Sequence, residues 1–214
     1  MDNSIFDDRA MALCELSQDM LFHKVPVGRI LYYIDEPLKA GRDAARLYSG
    51  KDIHALYSEN GIGAEYKPKT ASAFGVMLRG QAILGADGCK VEIYMESIEE
   101  LAKHSCFGGM PGLDLESALK VHLAHEFYHY LEYKSGSAIT EMLDSVETFK
   151  LFGFTRKAKI NRCSEIAAHM FAKCLIGLSY MPNLYDYLYL ISTGKLTAGD
   201  FEEKISGLKQ LAGV

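Results

Sequence analysis

The stretch LDLESALKVHLAHEFYHYLEY, residues 113–133, has the apolar spacing of one long helix. Asp114 is a suitable N-cap residue, and Pro111 just upstream also favours a helix start there. The apolar side chains that would pack on the core share one side: Leu119, Leu123, Phe127, Tyr130 and Leu131. The pattern therefore predicts a helix that core contacts hold rigidly.

Two histidines and a glutamate lie within this helix, in the order His125-Glu126-Phe127-Tyr128-His129. Residues four apart share a face of an α-helix, so His125 and His129 can direct ring nitrogens to one point. Zn²⁺ binds imidazole nitrogen at about 2.0–2.1 Å, which fits this convergence. Glu126 flanks the same face and can reach a water molecule on the metal without being a ligand. The spacing therefore predicts a catalytic zinc site with Glu126 as general base.

A third ligand is needed, and three acidic residues downstream are candidates. Glu165 and His169 are four apart in SEIAAHMFAK, residues 164–173, which has helical spacing. A carboxylate from this second helix would complete the two-histidine, one-glutamate set of catalytic zinc sites, which keeps a fourth position open. Asp144 and Glu147, on the segment between the two helices, are the alternatives. We favour Glu165.

Other polar residues near these motifs have simpler expected roles. His122 would lie near the site without being a ligand. Tyr128 and Tyr133 could donate to an oxyanion, but packing is their expected role. The basic residues Arg156, Lys157, Lys159 and Arg162 are expected to form a solvated turn and helix start.

The rest of the chain separates helices from strands. Residues 4–22 and 36–61 have helical spacing, the second stretch being broken near Gly50. Apolar and polar residues alternate over residues 62–96, and Asp87-Gly88 is a hairpin signal, so this stretch predicts a small, mostly antiparallel sheet. Four further helices are predicted after the sheet, within residues 138–152, 161–180, 183–192 and 198–212. This order favours an α+β fold. We expect residues 1–50 to form a helical extension packed on a domain of residues 51–214.

Composition excludes several classes of protein. The net charge of -5 argues against a nucleic-acid-binding surface, which needs clustered Lys and Arg in excess. The amino terminus is acidic where a secretory signal is basic, and no run approaches the roughly 20 apolar residues of a membrane-spanning helix. Five cysteines without a CxxC pair are typical of a reducing cytosol. We therefore expect a cytoplasmic protein with neither a nucleic-acid nor a membrane partner, while its oligomeric state is not predicted.

Two motifs resemble those of the ImmA/IrrE family of metallo-endopeptidases, a group of compact gluzincin-like proteases. LAHEFYH, residues 123–129, is similar to the HExxH helix of the family. Residues 165–176 are similar to its later helix, of the form ExxANxFAxxLLMP. The matching positions there are Glu165, Ala168, Phe171, Ala172 and Leu175. The resemblance extends over residues 52–182.

The resemblance implies a compact zincin-like domain in which His125, His129 and Glu165 hold zinc and Glu126 is catalytic. Its substrate would be a cytosolic protein or peptide, such as a transcriptional repressor, cleaved at limited sites. Where the family pattern has Asn, this chain has His169, which could assist catalysis by binding the water, orient Glu165 or occupy the fourth metal position. If His169 occupied the fourth metal position, no position would be left for a reactive water. The alternatives to a peptidase are therefore a non-catalytic metal-binding or sensing protein and a metal-free protein whose histidines only pack.

Overall fold

The computed structural model describes residues 5–73, 76–86, 88–152 and 154–214. Helices precede and follow a small group of strands, so the predicted α+β class is confirmed. In these ranges the elements are α1 Asp8–Leu16, α2 Ile30–Arg46, α3 Ile53–Asn60, β1 Ile62–Lys67, β2 Ala71–Ala73, β3 Val76–Leu78, β4 Gly80–Gly85, β5 Gly88–Tyr94, α4 Met95–His104, α5 Leu115–Ser135, α6 Ile139–Met142, β6 Val146–Leu151, β7 Phe154–Ala158, α7 Arg162–Ile176, α8 Asn183–Ser192 and α9 Ala198–Ala212. Two 3₁₀ turns, Phe22–Lys24 and Val27–Arg29, lie between α1 and α2. None of the described helices has the length and apolar character needed to cross a membrane.

Helix α5 forms the centre of the core, as its sequence predicted. It begins after Asp114, whose carboxylate accepts a hydrogen bond from the Ser117 amide at 2.7 Å. One side packs on β4 and β5, and another packs on α7. Phe127 is completely buried between neighbouring aromatic rings, and Tyr57 of α3 donates a hydrogen bond to the Leu123 carbonyl at 2.9 Å. These contacts fix the orientation of the histidine face.

Helix α7 lies between α5 and α2, and a glycine allows its close approach to α2. A Cβ atom at Gly41 would lie 2.2 Å from the Ala167 carbonyl oxygen and 3.0 Å from the Met170 Cβ. Contacts under 3.0 Å to backbone cannot be relieved by rotating a side chain, so the helices would have to separate. The position of α7, which carries Glu165, therefore depends on the absence of a side chain at Gly41.

We expect Gly41→Ala to lower the free energy of unfolding by about 1–3 kcal/mol, because overpacking of a close helix crossing costs that amount. Denaturant unfolding of the two proteins measures the change. Gly207→Ala is the matched control, since Gly207 lies within α9 and its Cβ would meet no heavy atom within 4 Å. The control should gain up to about 1 kcal/mol from helix propensity. Equal stability of Gly41→Ala and the wild type would show that the crossing relaxes freely.

The amino-terminal helices contribute to the same hydrophobic cluster as α5 and α7. Both α1 and α2 pack on α7. The predicted helix over residues 4–22 is shorter than expected, because Asp19 accepts hydrogen bonds from the Leu21 amide at 2.8 Å and the Arg162 amide at 3.0 Å. Helix α1 ends at Leu16, and the turn that follows ties the amino-terminal segment to the start of α7. The boundary at residue 50 stays a prediction.

The larger sheet has the strand order β1-β5-β4. β5 pairs in parallel with β1 and antiparallel with β4, while β2 with β3 and β6 with β7 are antiparallel. The mostly antiparallel arrangement was predicted, but the parallel pair was not. The register places Gly85 opposite Gly88, and Asp87 of the predicted hairpin signal lies outside the described residues.

The predicted helix over residues 138–152 is wrong beyond Met142. Only α6 is helical, and the chain continues into the β6–β7 hairpin. β-Branched and aromatic residues such as Val146, Thr148 and Phe149 stabilise a strand when a partner strand is present, and β7 supplies that partner. The predicted turn and helix start is therefore right only for Arg162, the first residue of α7. Arg156 and Lys157 lie on β7, and Lys159 donates hydrogen bonds to the carbonyls of Glu141 at 2.6 Å and Leu143 at 2.7 Å.

Candidate metal centre

Three predicted ligands meet where α5 and α7 are in contact. His125 and His129 are one turn apart on α5, and Glu165 lies in the first turn of α7. The Nε2 atoms of the two histidines are 3.2 Å apart. The Glu165 Oε2 atom lies 3.2 Å from His125 Nε2, and its Oε1 atom lies 3.6 Å from His129 Nε2.

The donor atoms of this group fit a metal ion. Ligands of one tetrahedral ion at about 2.0–2.2 Å are themselves about 3.3–3.5 Å apart, close to the spacing found here. All three ligand atoms lie within 4.8 Å of one another, and the described residues contain no other group of three His, Cys, Asp or Glu side chains that meets this condition. His125, His129 and Glu165 could therefore hold a metal ion.

Glu132 positions the ring of His129, and sequence reasoning missed it. The Glu132 Oε2 atom lies 3.4 Å from His129 Nδ1 and accepts a hydrogen bond from the Ser164 hydroxyl. Its Oε1 accepts from the Ile139 amide at 2.9 Å. Since a carboxylate accepts, Glu132 favours a proton on His129 Nδ1 and would leave Nε2 as the ligand atom when the neutral ring binds a metal. The three-residue spacing of His129 and Glu132 on a helix was the available signal.

Glu132→Gln is expected to weaken metal binding by about 10–100-fold, the usual cost of losing a carboxylate that orients a histidine ligand. The neutral amide cannot accept from all three donors that meet the Glu132 carboxylate, so His129 loses its fixed orientation. Competition with a chromophoric chelator measures the affinity. Glu116→Gln is the control, because Glu116 is exposed on the same helix and pairs with Lys120. Equal affinity of the Glu132→Gln protein and the control would remove Glu132 from the site.

The carboxylates around His129 favour positive charge at the ligand group. Burial alone would lower the pKa of His129, but hydrogen bonds to Glu132 and Glu165 raise it to about 10. Burial alone would raise the pKa of Glu165, but hydrogen bonds to His125 and His129 hold it well below its usual range. The same negative environment would stabilise a divalent cation.

Glu126 lies beside the ligand group but outside it. The residue is 8% exposed and lines the cavity in front of the group. Its Oε1 atom would be 3.5 Å from a Cβ atom at Gly80, the first residue of β4. Strand β4 thus begins next to the carboxylate, and Glu126 has a position from which it can exchange a proton with a molecule in the cavity.

His169 lies next to the ligand group without joining it. Its ring centroid is 4.7 Å from that of His125, and its Nε2 is 3.8 Å from the Glu15 carboxylate. The Nδ1 atom is buried and has no hydrogen-bond partner among the described residues. Burial, reinforced by the neighbouring His125, keeps the pKa of His169 well below its usual range. The neutral ring therefore packs against His125, and its predicted catalytic role stays a prediction.

The alternative third ligands lie elsewhere. Asp144 pairs with Arg29 and is largely exposed, and Glu147 lies on β6 opposite Lys157. Neither belongs to the one ligand group found among the described residues. The structure thus brings together the favoured set and separates it from Asp144 and Glu147.

His122 lies near the site and Tyr128 packs in the core, as expected, whereas Tyr133 is not buried. His122 lines the cavity and donates a hydrogen bond from Nδ1 to the Ala118 carbonyl at 2.7 Å. Burial lowers its pKa to about 4, so the ring is neutral and Nε2 is an acceptor. Tyr128 is buried in the core, and Tyr133 is 47% exposed. Neither tyrosine is among the described residues that line the cavity.

An open cavity of about 1110 Å³ lies in front of the ligand group. Residues 78–82 along and before β4 line one wall, and residues from α8 and the segment after it line another. Arg79 reaches across between these walls, with its Nε atom 2.8 Å from the Asp186 carboxylate. The cavity is large enough to admit several residues of an extended peptide.

Comparisons with protein-family models, with curated proteins and with solved structures found no match to this chain. Membership of the ImmA/IrrE family therefore stays a prediction.

Proposed function

We propose that the protein is a zinc-dependent endopeptidase that hydrolyses peptide bonds in a protein substrate. The observation that carries this proposal is the convergence of His125, His129 and Glu165 at the base of an open cavity, with Glu126 beside them. A two-histidine, one-carboxylate set is the donor set of catalytic zinc sites that keep an open position. The motif resemblance over residues 52–182 adds support, and by that resemblance the substrate is a cytosolic protein such as a transcriptional repressor.

Zinc held by these three side chains would polarise a peptide carbonyl and lower the pKa of a bound water to about 7. The chain itself supplies the proton transfers. The Glu126 carboxylate accepts the proton of the attacking water and then delivers it to the nitrogen of the leaving amine. Glu132 favours the His129 tautomer with its proton on Nδ1, which a ligand through Nε2 needs.

Strand β4 offers a way to hold an extended substrate. It forms an edge of the three-stranded sheet in the described residues, and its first residues line the cavity. β5 is not an edge, because it lies between β1 and β4. A peptide paired with β4 would form main-chain hydrogen bonds and cross the site in an extended conformation.

The test is hydrolysis of a diverse peptide library by purified protein, before and after metal removal. We expect one zinc per chain, cleavage products identified by mass spectrometry, loss of activity with a chelator and recovery with zinc. One bound metal with no cleavage of any peptide or denatured protein would favour the closed, non-catalytic metal-binding alternative. No binding of zinc after reconstitution would overturn the metal centre and leave histidines that only pack.

A further inference from the structure

The β6–β7 hairpin exposes apolar side chains at its tip. Phe149 is 52% exposed, Leu151 50%, Phe152 99% and Phe154 67%. The base is fixed to the body, because Val146 is buried and Lys159 donates hydrogen bonds to the carbonyls at the end of α6. The hairpin is therefore held at its base while its apolar end faces solvent. Burying such side chains away from water is favourable, so this end is suited to an apolar environment.

Cationic side chains follow directly behind the apolar tip. Lys150, Arg156 and Lys157 are exposed, and the only carboxylate on the two strands is Glu147, in a chain whose net charge is -5. In the register, Leu151 pairs with Phe154, Lys150 with Thr155 and Phe149 with Arg156. Lys150 and Arg156 thus project from opposite faces, since side chains alternate along a strand. The cations surround the hairpin instead of covering one face.

We propose that the β6–β7 hairpin docks on the surface of an anionic lipid bilayer. Its apolar tip would enter the boundary of the acyl chains, and the cations would contact lipid phosphates. At about 3.3 Å per residue, Arg156 and Lys157 lie roughly 7–10 Å behind Phe154, which matches the depth of an interfacial anchor. In this register Phe149, Leu151 and Phe154 share one face with Arg156, while Lys150 and Lys157 lie on the other. A groove on a protein would contact one face of the hairpin, whereas lipid phosphates can contact cations on both faces, so the cations favour the bilayer.

The sequence led us to expect no membrane partner because it has no apolar run long enough to span a bilayer. Docking on a bilayer surface needs no such run, so the proposal replaces that expectation. It is independent of the proposed peptidase activity, because no ligand of the metal centre lies on β6 or β7. Failure of lipid binding would leave the metal centre as it stands.

The chain contains no tryptophan, so Phe152→Trp introduces a unique fluorescent probe at the tip. The probes are vesicles of phosphatidylcholine alone and vesicles that also contain phosphatidylglycerol. We expect the emission of Phe152→Trp to shift to shorter wavelength only with the anionic vesicles. Leu47→Trp is the control, because Leu47 is 79% exposed and follows the carboxyl end of α2. The hairpin lies near the other end of α2, where Arg29 pairs with Asp144. Its emission should not change.

Flotation of the full chain with the anionic vesicles measures affinity. The double variant Phe152→Ser with Phe154→Ser should bind at least about tenfold more weakly, since two large apolar side chains are lost. Arg156→Gln and Lys157→Gln should each weaken binding by about fivefold, and added salt should weaken it further. Zinc content and thermal unfolding should be unchanged in every variant, since these side chains are exposed.

Three results would overturn the proposal. The first is absence of the wild-type protein from the floated vesicles. The second is equal flotation of the wild type and the serine double variant. The third is self-association without lipid, detected by light scattering and abolished by the serine double variant, which would identify a second copy of the chain as the occupant.

Discussion

Glu126→Gln is expected to lower kcat for peptide hydrolysis by about 10²–10⁴-fold, the contribution of a well-positioned general acid–base group. The glutamine amide has nearly the same shape as the carboxylate but cannot accept the proton of the attacking water. Glu126 is buried beside the ligand group and does not belong to it, so zinc should be retained. Steady-state kinetics on a cleaved library peptide, with zinc measured on the same sample, test both expectations.

Glu116→Gln is the matched control for this experiment. Glu116 lies in the first turn of the same helix, where it pairs with Lys120 and is exposed. This control should retain wild-type kcat and KM. A Glu126→Gln enzyme that keeps zinc and wild-type kcat would eliminate Glu126 as the proton acceptor. Loss of zinc together with activity would instead show that Glu126 contributes to metal binding.

The placement of His125, Glu126 and His129 was predictable because it depends on the geometry of a single helix. Residues four apart on α5 must share a face, and the cap at Asp114 and the apolar positions of α5 determine where that face points. Glu165 required one further inference, since its meeting with His125 depends on the packing of α5 against α7. The helical spacing around Glu165 made that packing face recognisable.

Tertiary packing explains what the sequence did not reveal. The parallel pairing of β1 with β5 joins residues about 27 apart, and alternation along one strand does not indicate the direction of its partner. Strand β6 was mistaken for the end of a helix and β7 was not predicted, because both strands are short and mostly exposed, which removes the usual apolar-polar alternation. Glu132 was overlooked since a charge on a helix is usually solvated, and only the fold shows it between His129 and Ser164.

Glu165→Gln is expected to weaken zinc binding by about 10²–10³-fold. Structural zinc sites with four ligands contribute about 10–16 kcal/mol, which is roughly 2.5–4 kcal/mol per ligand. Glu165 supplies the only carboxylate of the group, and its oxygens approach the Nε2 atoms of both histidines. Its replacement removes one strong ligand and the negative charge that favours the ion. Competition with a chromophoric chelator at fixed pH measures the change.

Two variants at the rejected positions make this test specific. Asp144→Asn and Glu147→Gln should retain wild-type zinc affinity, since Asp144 pairs with Arg29 and Glu147 lies on β6. A loss of affinity in either, with Glu165→Gln unaffected, would reassign the third ligand. His169→Asn should also retain zinc, because the ring packs on His125 and lies outside the ligand group. A loss as large as that of Glu165→Gln would make His169 a fourth ligand, and a site closed in this way would have no position for the water that Glu126 must deprotonate.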